Sequence, residues 1–185
     1  MSRSREAQRP AGIVFLDVDG VLNRSPWSTA GRHEPLDVLC RDGVVRRGRV
    51  PADRDCVDRL NEITCATESA VVVASSWRQF AAWDHLALLL AAAGVEAPVV
   101  GETPDLPAEA MATGRAVHLD LLTRGHEVAA WLADHPGVER YVVLDDVDDY
   151  RAPEHVELRA RLVLVDPRRG LDEDTARAAL RALVR

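Results

Sequence analysis

Residues Ile13 to Asn23 read "IVFLDVDGVLN". An apolar run suited to a buried strand ends in two aspartates, Asp17 and Asp19, one residue apart; Gly20 and two more apolar residues follow. Carboxylates at the end of a buried strand are costly unless something compensates them. Alternation along a strand sends residues i and i+2 to the same side, so both acids address one site. Gly20 permits a sharp turn directly after them. The stretch reads as a strand that delivers paired acids to a common point.

Outward from it, apolar runs of strand length alternate with segments of helical period. Strands are expected at "GIVFLD" (12–17), "AVVVAS" (70–75), "APVVG" (97–101), "RYVVLDD" (140–146) and "ARLVLVD" (160–166). "ADRDCVDRLNEITCAT" (52–67) places Val57, Leu60, Ile63 and Thr64 on one helical face. "WRQFAAWDHLALLLAAAG" (77–94) reads as a helix with Phe80, Trp83, Leu86, Leu89 and Leu90 inward and Gly94 as its stop. "GHEVAAWLADHPG" (125–137) carries Val128, Trp131 and Leu132 at helical spacing, and a last helix spans "LDEDTARAALRALV" (171–184) with Asp172 as its N-cap. The strands are apolar on both faces, as parallel strands covered by helices are. Right-handed crossovers then give an α/β fold, a doubly wound parallel sheet in a three-layer α/β/α sandwich. In such sheets reactive groups gather at the carboxyl ends of the strands. That rule selects Asp17 and Asp19, Ser75 and Ser76, and Asp145 and Asp146, from three different strands.

Suppose these acids converge. Two unit charges about 4 Å apart cost roughly 4 kcal/mol at an effective dielectric near 20. Either some protonate or a cation binds. An oxygen-only donor set selects a hard ion, Mg²⁺ first, in the arrangement that also takes a substrate phosphate. An ionised aspartate facing a phosphoryl group can attack phosphorus, and a second, two residues on, can protonate the leaving oxygen. A hydroxyl at the next strand end and a cation would hold the transferred group. All 23 basic residues are arginine, so that cation must be an arginine.

"DVDGV" after an apolar strand, the serine closing "VVVAS", and "LDD" closing a later strand resemble the haloacid dehalogenase-like (HAD) phosphohydrolases, over residues 12 to 166. More narrowly, "FLDVDGVLN", "ASSWR", "RGHEVAAWL" and "VLDD" look like the HAD domains of RNA-repair and polynucleotide-end-healing systems. The resemblance implies a HAD-like, Rossmannoid domain with a small or absent cap, and Asp17 as nucleophile with Asp19 as general acid/base. Ser75 would bind the phosphoryl group, with Ser76 as the alternative. Asp145 would ligate Mg²⁺ with the Asp17 carboxylate and the Asp19 backbone carbonyl, and Asp146 would sit in the outer sphere or orient the others. The family's usual lysine is absent. Arg124 stands in the matching place, with Arg115 and Arg78 as alternatives.

The expected activity is a Mg²⁺-dependent phosphatase working through an aspartyl-phosphate, on a phosphorylated polynucleotide end or a nucleotide. A small-metabolite phosphatase and a catalytically silent interaction scaffold are the rivals. A response-regulator receiver domain also combines acids with a strand-end hydroxyl, but it needs a lysine.

Composition sets the remaining bounds. The chain has 185 residues, 47% of them apolar, and fits one domain, expected over 12–185. A net charge of −7 weighs against tight non-specific nucleic-acid binding. Cys40, Cys56 and Cys65 form no CxxC pair and, without a secretory signal, read as reduced cytoplasmic thiols. Residues 1–11 are polar and expected to be a flexible lead-in. No apolar run is long enough to span a membrane. Residues 24–51 form a small insert or flap, with "LDVLCRDGVVRRGRV" as a hairpin turning at Asp42-Gly43. Arg41, Arg46, Arg47 and Arg49 on it are either solvated or a grip for a polynucleotide backbone. Residues 101–122 form a second long connection, and either segment is a candidate lid. Trp77, Trp83 and Trp131 read as core or helix-packing residues. The six histidines show no metal-ligand spacing.

Overall fold

The computed structural model describes residues 10–25, 35–114 and 122–184. Trp27, which the sequence offers for loop packing or for stacking on a base or sugar, and Arg115 lie outside the described residues, as does most of the N-terminal lead-in. The strands are β1 (Gly12–Leu16), β2 (Leu36–Leu39), β3 (Val45–Gly48), β4 (Ser69–Val73), β5 (Val99–Glu102), β6 (Tyr141–Asp145) and β7 (Leu162–Leu164). The helices are α1 (Arg54–Thr67), α2 (Trp83–Ala92), α3 (Leu106–Ala112), α4 (Arg124–Asp134), α5 (Val156–Ala160) and α6 (Glu173–Val184).

Five strands form one parallel sheet in the order β5-β4-β1-β6-β7. β1 is central because it can be: every residue of β1, β4 and β6 is buried. Alternation divides the apolar side chains between two cores. Val14, Leu16, Val71, Val73, Val142 and Leu144 pack with residues of α1, α2 and α6. Ile13, Phe15, Val72 and Val143 pack with Val128 and Trp131 of α4 and Leu158 of α5. Phe15 meets Trp131 edge to face at 5.3 Å between ring centroids. Covered on both faces, the sheet is the middle of three layers, as the doubly apolar strands require.

The first helix buries Val57, Leu60, Ile63 and Thr64 as its periodicity demands. Asp172 accepts from the Thr175 amide at 2.9 Å and so caps the last helix. The strand expected over 160–166 shortens to β7, because α5 runs to Ala160.

The helix expected over 77–94 is broken. A 3-10 turn occupies Ser76–Gln79, and α2 begins only at Trp83. The cause is tertiary. β2 and β3 pair antiparallel around the Asp42-Gly43 turn, where Gly43 takes φ +80°. The hairpin then docks on the interruption: Cys40 bridges Ala81, and the Arg41 amide donates to the Phe80 carbonyl at 3.0 Å. The Arg41 guanidinium reaches the Arg78 carbonyl and the Glu102 carboxylate. Backbone groups that a continuous helix would use are thus given to the insert. Phe80 and Trp83, expected inward, are 38% and 40% exposed as a result, whereas Leu86, Leu89 and Leu90 are buried.

Candidate active site

β1, β4 and β6 lie side by side in the sheet, so their carboxyl ends open onto one place. Asp17 follows β1 and its amide donates to the Leu144 carbonyl of β6 at 3.0 Å. Asp145 ends β6 and is 1% exposed. Carboxylate oxygens of Asp17, Asp145 and Asp146 all lie within 4.8 Å of one another. Residues 128 positions apart in the chain are thereby brought into one acidic cluster.

Hydrogen bonds hold two of the three acids in place. Asp17 Oδ1 accepts from the Val18 amide at 2.8 Å. Asp145 Oδ1 accepts from the Val147 amide, and its Oδ2 from the Tyr150 hydroxyl, each at 3.0 Å. Gly20 sits at φ +77°, and a Cβ there would stand 2.3 Å from Asp146 Oδ2. Glycine is needed for the backbone conformation and for the space the carboxylate occupies.

Arg124 opens α4 and sends its guanidinium into this cluster. Nη1 lies 3.2 Å from Asp17 Oδ2 and 3.5 Å from Asp145 Oδ2, and also reaches the Ala74 carbonyl. One cation does not balance the group. Burial, with Asp17 adding to it and Arg124 opposing, pushes Asp145 up to about 7. Burial and then Asp17 raise Asp146 as well. Burial works against the charge on Arg124, yet Asp17 and Asp145 outweigh it and hold the guanidinium firmly protonated. The other two arginines weighed for this position are elsewhere or undescribed. Arg78 is buried against Glu127, with Nη2 2.5 Å from Oε1, and supports the Ser75 carbonyl.

Asp19 stands apart from the acidic trio. Its Oδ1 accepts from Asn23 Nδ2 at 2.9 Å, and its Oδ2 from Trp77 Nε1 at 2.8 Å. Asn23 is fully buried and also binds the Gly20 amide and the Pro51 carbonyl. Ser75 follows β4 and is fully enclosed; its hydroxyl caps the 3-10 turn through the Trp77 amide. Ser76 is exposed at the rim.

Asn23, Trp77 and Tyr150 were not among the expected site residues. Asn23 and Trp77 lie inside the quoted motifs, four residues after Asp19 and one after Ser76. Tyr150 carried no signal beyond its nearness to Asp145. Asp148 is half-buried and paired with Arg151 at 2.8 Å and Arg159 at 3.2 Å. The hairpin arginines meet acids of their own: Arg41 meets Glu102, Arg46 Nη2 lies 2.6 Å from Asp42, and Arg47 Nε lies 3.8 Å from Asp37. No helix among the described residues is long and apolar enough to cross a membrane.

The donor set suits a hard divalent ion. Three carboxylates converge with no sulfur or imidazole among them, and a cation there would offset the burial and the Asp17 charge that raise Asp145. Residues 13–176 match the family model described as the HAD domain in Swiss Army Knife RNA repair proteins. No curated protein matches the chain.

Proposed function

We propose that this chain, which belongs to the family of HAD domains in Swiss Army Knife RNA repair proteins, is a Mg²⁺-dependent phosphatase that works through an aspartyl-phosphate on Asp17. The observation that carries the reading is the convergence of Asp17, Asp145 and Asp146 around one point beside Arg124. Asp17 and Asp145 would hold Mg²⁺ with the Asp19 carbonyl, and Asp146 would orient them. The ion supplies charge neutralisation for the phosphoryl oxygens.

The residues act in two displacements. An Asp17 carboxylate oxygen attacks phosphorus, and the bond to the leaving oxygen breaks as Asp19 gives that oxygen its proton. Asp19 then takes a proton from water, the water oxygen attacks phosphorus, and the bond to Asp17 breaks. Asn23 and Trp77 fix the Asp19 carboxylate for both steps. Arg124 offsets the charge that develops beside Asp17, in the place where a lysine is usual. Ser75 or Ser76 supplies the hydroxyl for the phosphoryl group; Ser75 stands nearer the sheet and Ser76 is the accessible one.

The substrate is a phosphorylated polynucleotide end or nucleotide. The family's association with RNA repair supports this, as does the short insert at 24–51. Residues 12–185 act as one catalytic domain with that insert as its minimal cap. The test compares 3′-phosphorylated oligonucleotides, 5′-phosphorylated oligonucleotides, mononucleotides and an aryl phosphate, with Mg²⁺ and with chelator. Turnover should require Mg²⁺, vanish in Asp17→Asn and prefer one polynucleotide end. Equal, feeble rates on every substrate would remove the substrate assignment, and undiminished turnover in Asp17→Asn would remove the mechanism.

A further inference from the structure

Histidine spacing along the chain points to no metal site, but folding changes the geometry. We propose that His126, Glu154 and His155 form a second metal site, separate from the acidic cluster and selective for a borderline transition-metal ion such as Zn²⁺. His126 lies in the first turn of α4, and the other two lie in the turn Pro153–His155 that leads into α5. A ring nitrogen from each histidine and a carboxylate oxygen of Glu154 lie within 4.8 Å of one another. The two imidazole rings meet edge to face at 4.5 Å between centroids.

Two further observations point to a ligand. His155 is 3% exposed, and its Nε2 is enclosed without a hydrogen-bond partner. A buried, unpaired imidazole nitrogen carries a desolvation cost that a bound cation removes. Room for that ring is also particular: a Cβ on Gly125 would stand 2.7 Å from His155 Cδ2. The second observation is a spacing. Donors about 2.0–2.1 Å from a tetrahedral Zn²⁺ stand roughly 3.4 Å apart. His126 Nε2 lies 3.4 Å from Glu154 Oε1.

The ring of His126 is set by the helix cap. Its Nδ1 accepts from the Thr123 amide at 3.2 Å and lies 3.1 Å from Thr123 Oγ1, which turns Nε2 to Glu154. With Nε2 on the ion, the ring's one proton sits on Nδ1, which gives up the Thr123 amide bond and donates to Thr123 Oγ1 instead. A hydrogen bond that fixes the tautomer of a ligating imidazole is the usual second shell of such sites. Two nitrogens and one carboxylate favour zinc-like ions over Mg²⁺, and three protein donors leave a position open. The ion would tie the start of α4, which carries Arg124, to the segment that follows Asp145 and Tyr150.

The proposal does not depend on the phosphatase reading. The test is calorimetric titration of the chelator-treated chain with Zn²⁺ in excess Mg²⁺, alongside Glu154→Gln, His126→Gln and Asp145→Asn. One zinc equivalent should bind the unaltered chain and Asp145→Asn alike. Affinity should fall at least about tenfold in both Glu154→Gln and His126→Gln. Glu154 is exposed, so its variant keeps the test independent of folding. Absence of the zinc equivalent, its loss in Asp145→Asn, or unaltered affinity in either of the other two variants overturns the proposal.

Discussion

Replacing Asp145 by asparagine isolates the electrostatic cost of the acidic cluster. Burial first, then Asp17, raise the Asp145 carboxyl from 3.8 to about 7, against the pull of Arg124. A raised folded-state pKa means that the native chain holds a proton the unfolded chain has released. The stability that proton brings is complete below about pH 4 and is lost as pH rises through 7. A rise from 3.8 to about 7 corresponds to about 4 kcal/mol when fully expressed. Between pH 5 and pH 8 the loss amounts to roughly 2–3 kcal/mol. Asparagine carries no charge at any of these pH values. It does lose an acceptor, because Val147 N–H and Tyr150 O–H each use one carboxylate oxygen. That loss costs about 1–3 kcal/mol at every pH. The two proteins should therefore be close in stability at pH 5, and the variant should be more stable by about 1–3 kcal/mol at pH 8. Urea unfolding in the presence of chelator, at half-unit steps of pH, measures the difference. Saturating Mg²⁺ should flatten the unaltered chain's decline and leave the variant nearly unmoved. A stability difference that stays constant from pH 5 to pH 8 would refute the reasoning.

Three other outcomes are expected. Gly20→Ala places a Cβ where Asp146 Oδ2 stands at φ +77°, so it should destabilise by about 1–3 kcal/mol and weaken Mg²⁺ binding, read by urea melts and metal titration. Trp77→Phe removes the Nε1 donor to Asp19 while keeping a ring in place; kcat should fall by about tenfold with KM held, as steady-state kinetics on the best substrate will show. Ser75→Ala and Ser76→Ala separate the two hydroxyls: the one that holds the phosphoryl group should lower kcat/KM by roughly tenfold, and the other should leave it within about twofold.

The layers of the fold and the position of the acids were readable from the chain alone. Runs such as "IVFL" and "YVVL" are apolar at every position, and only a parallel sheet covered on both faces hides such strands. Aspartates closing two of those strands had to meet at the sheet's carboxyl edge once the strands were neighbours. The Asp42-Gly43 turn was equally local, since it needs only two residues and a positive φ. Local signals failed where a distant segment competed for the same groups. The periodicity of 77–94 is helical, but hairpin contacts at Phe80 and Ala81 outweigh it, and two aromatic side chains stay exposed. Trp77 finds Asp19 across 58 positions, and Arg124 finds Ala74 across 50, distances at which no spacing rule operates. His126 and His155 likewise meet only because α4 packs on the turn before α5. Patterning along the chain thus determined which runs become the buried strands and which acids close them. Which cation, donor or ring stands against each acid was decided by tertiary structure, because such pairings depend on distances that exist only after the sheet and its covering helices have closed.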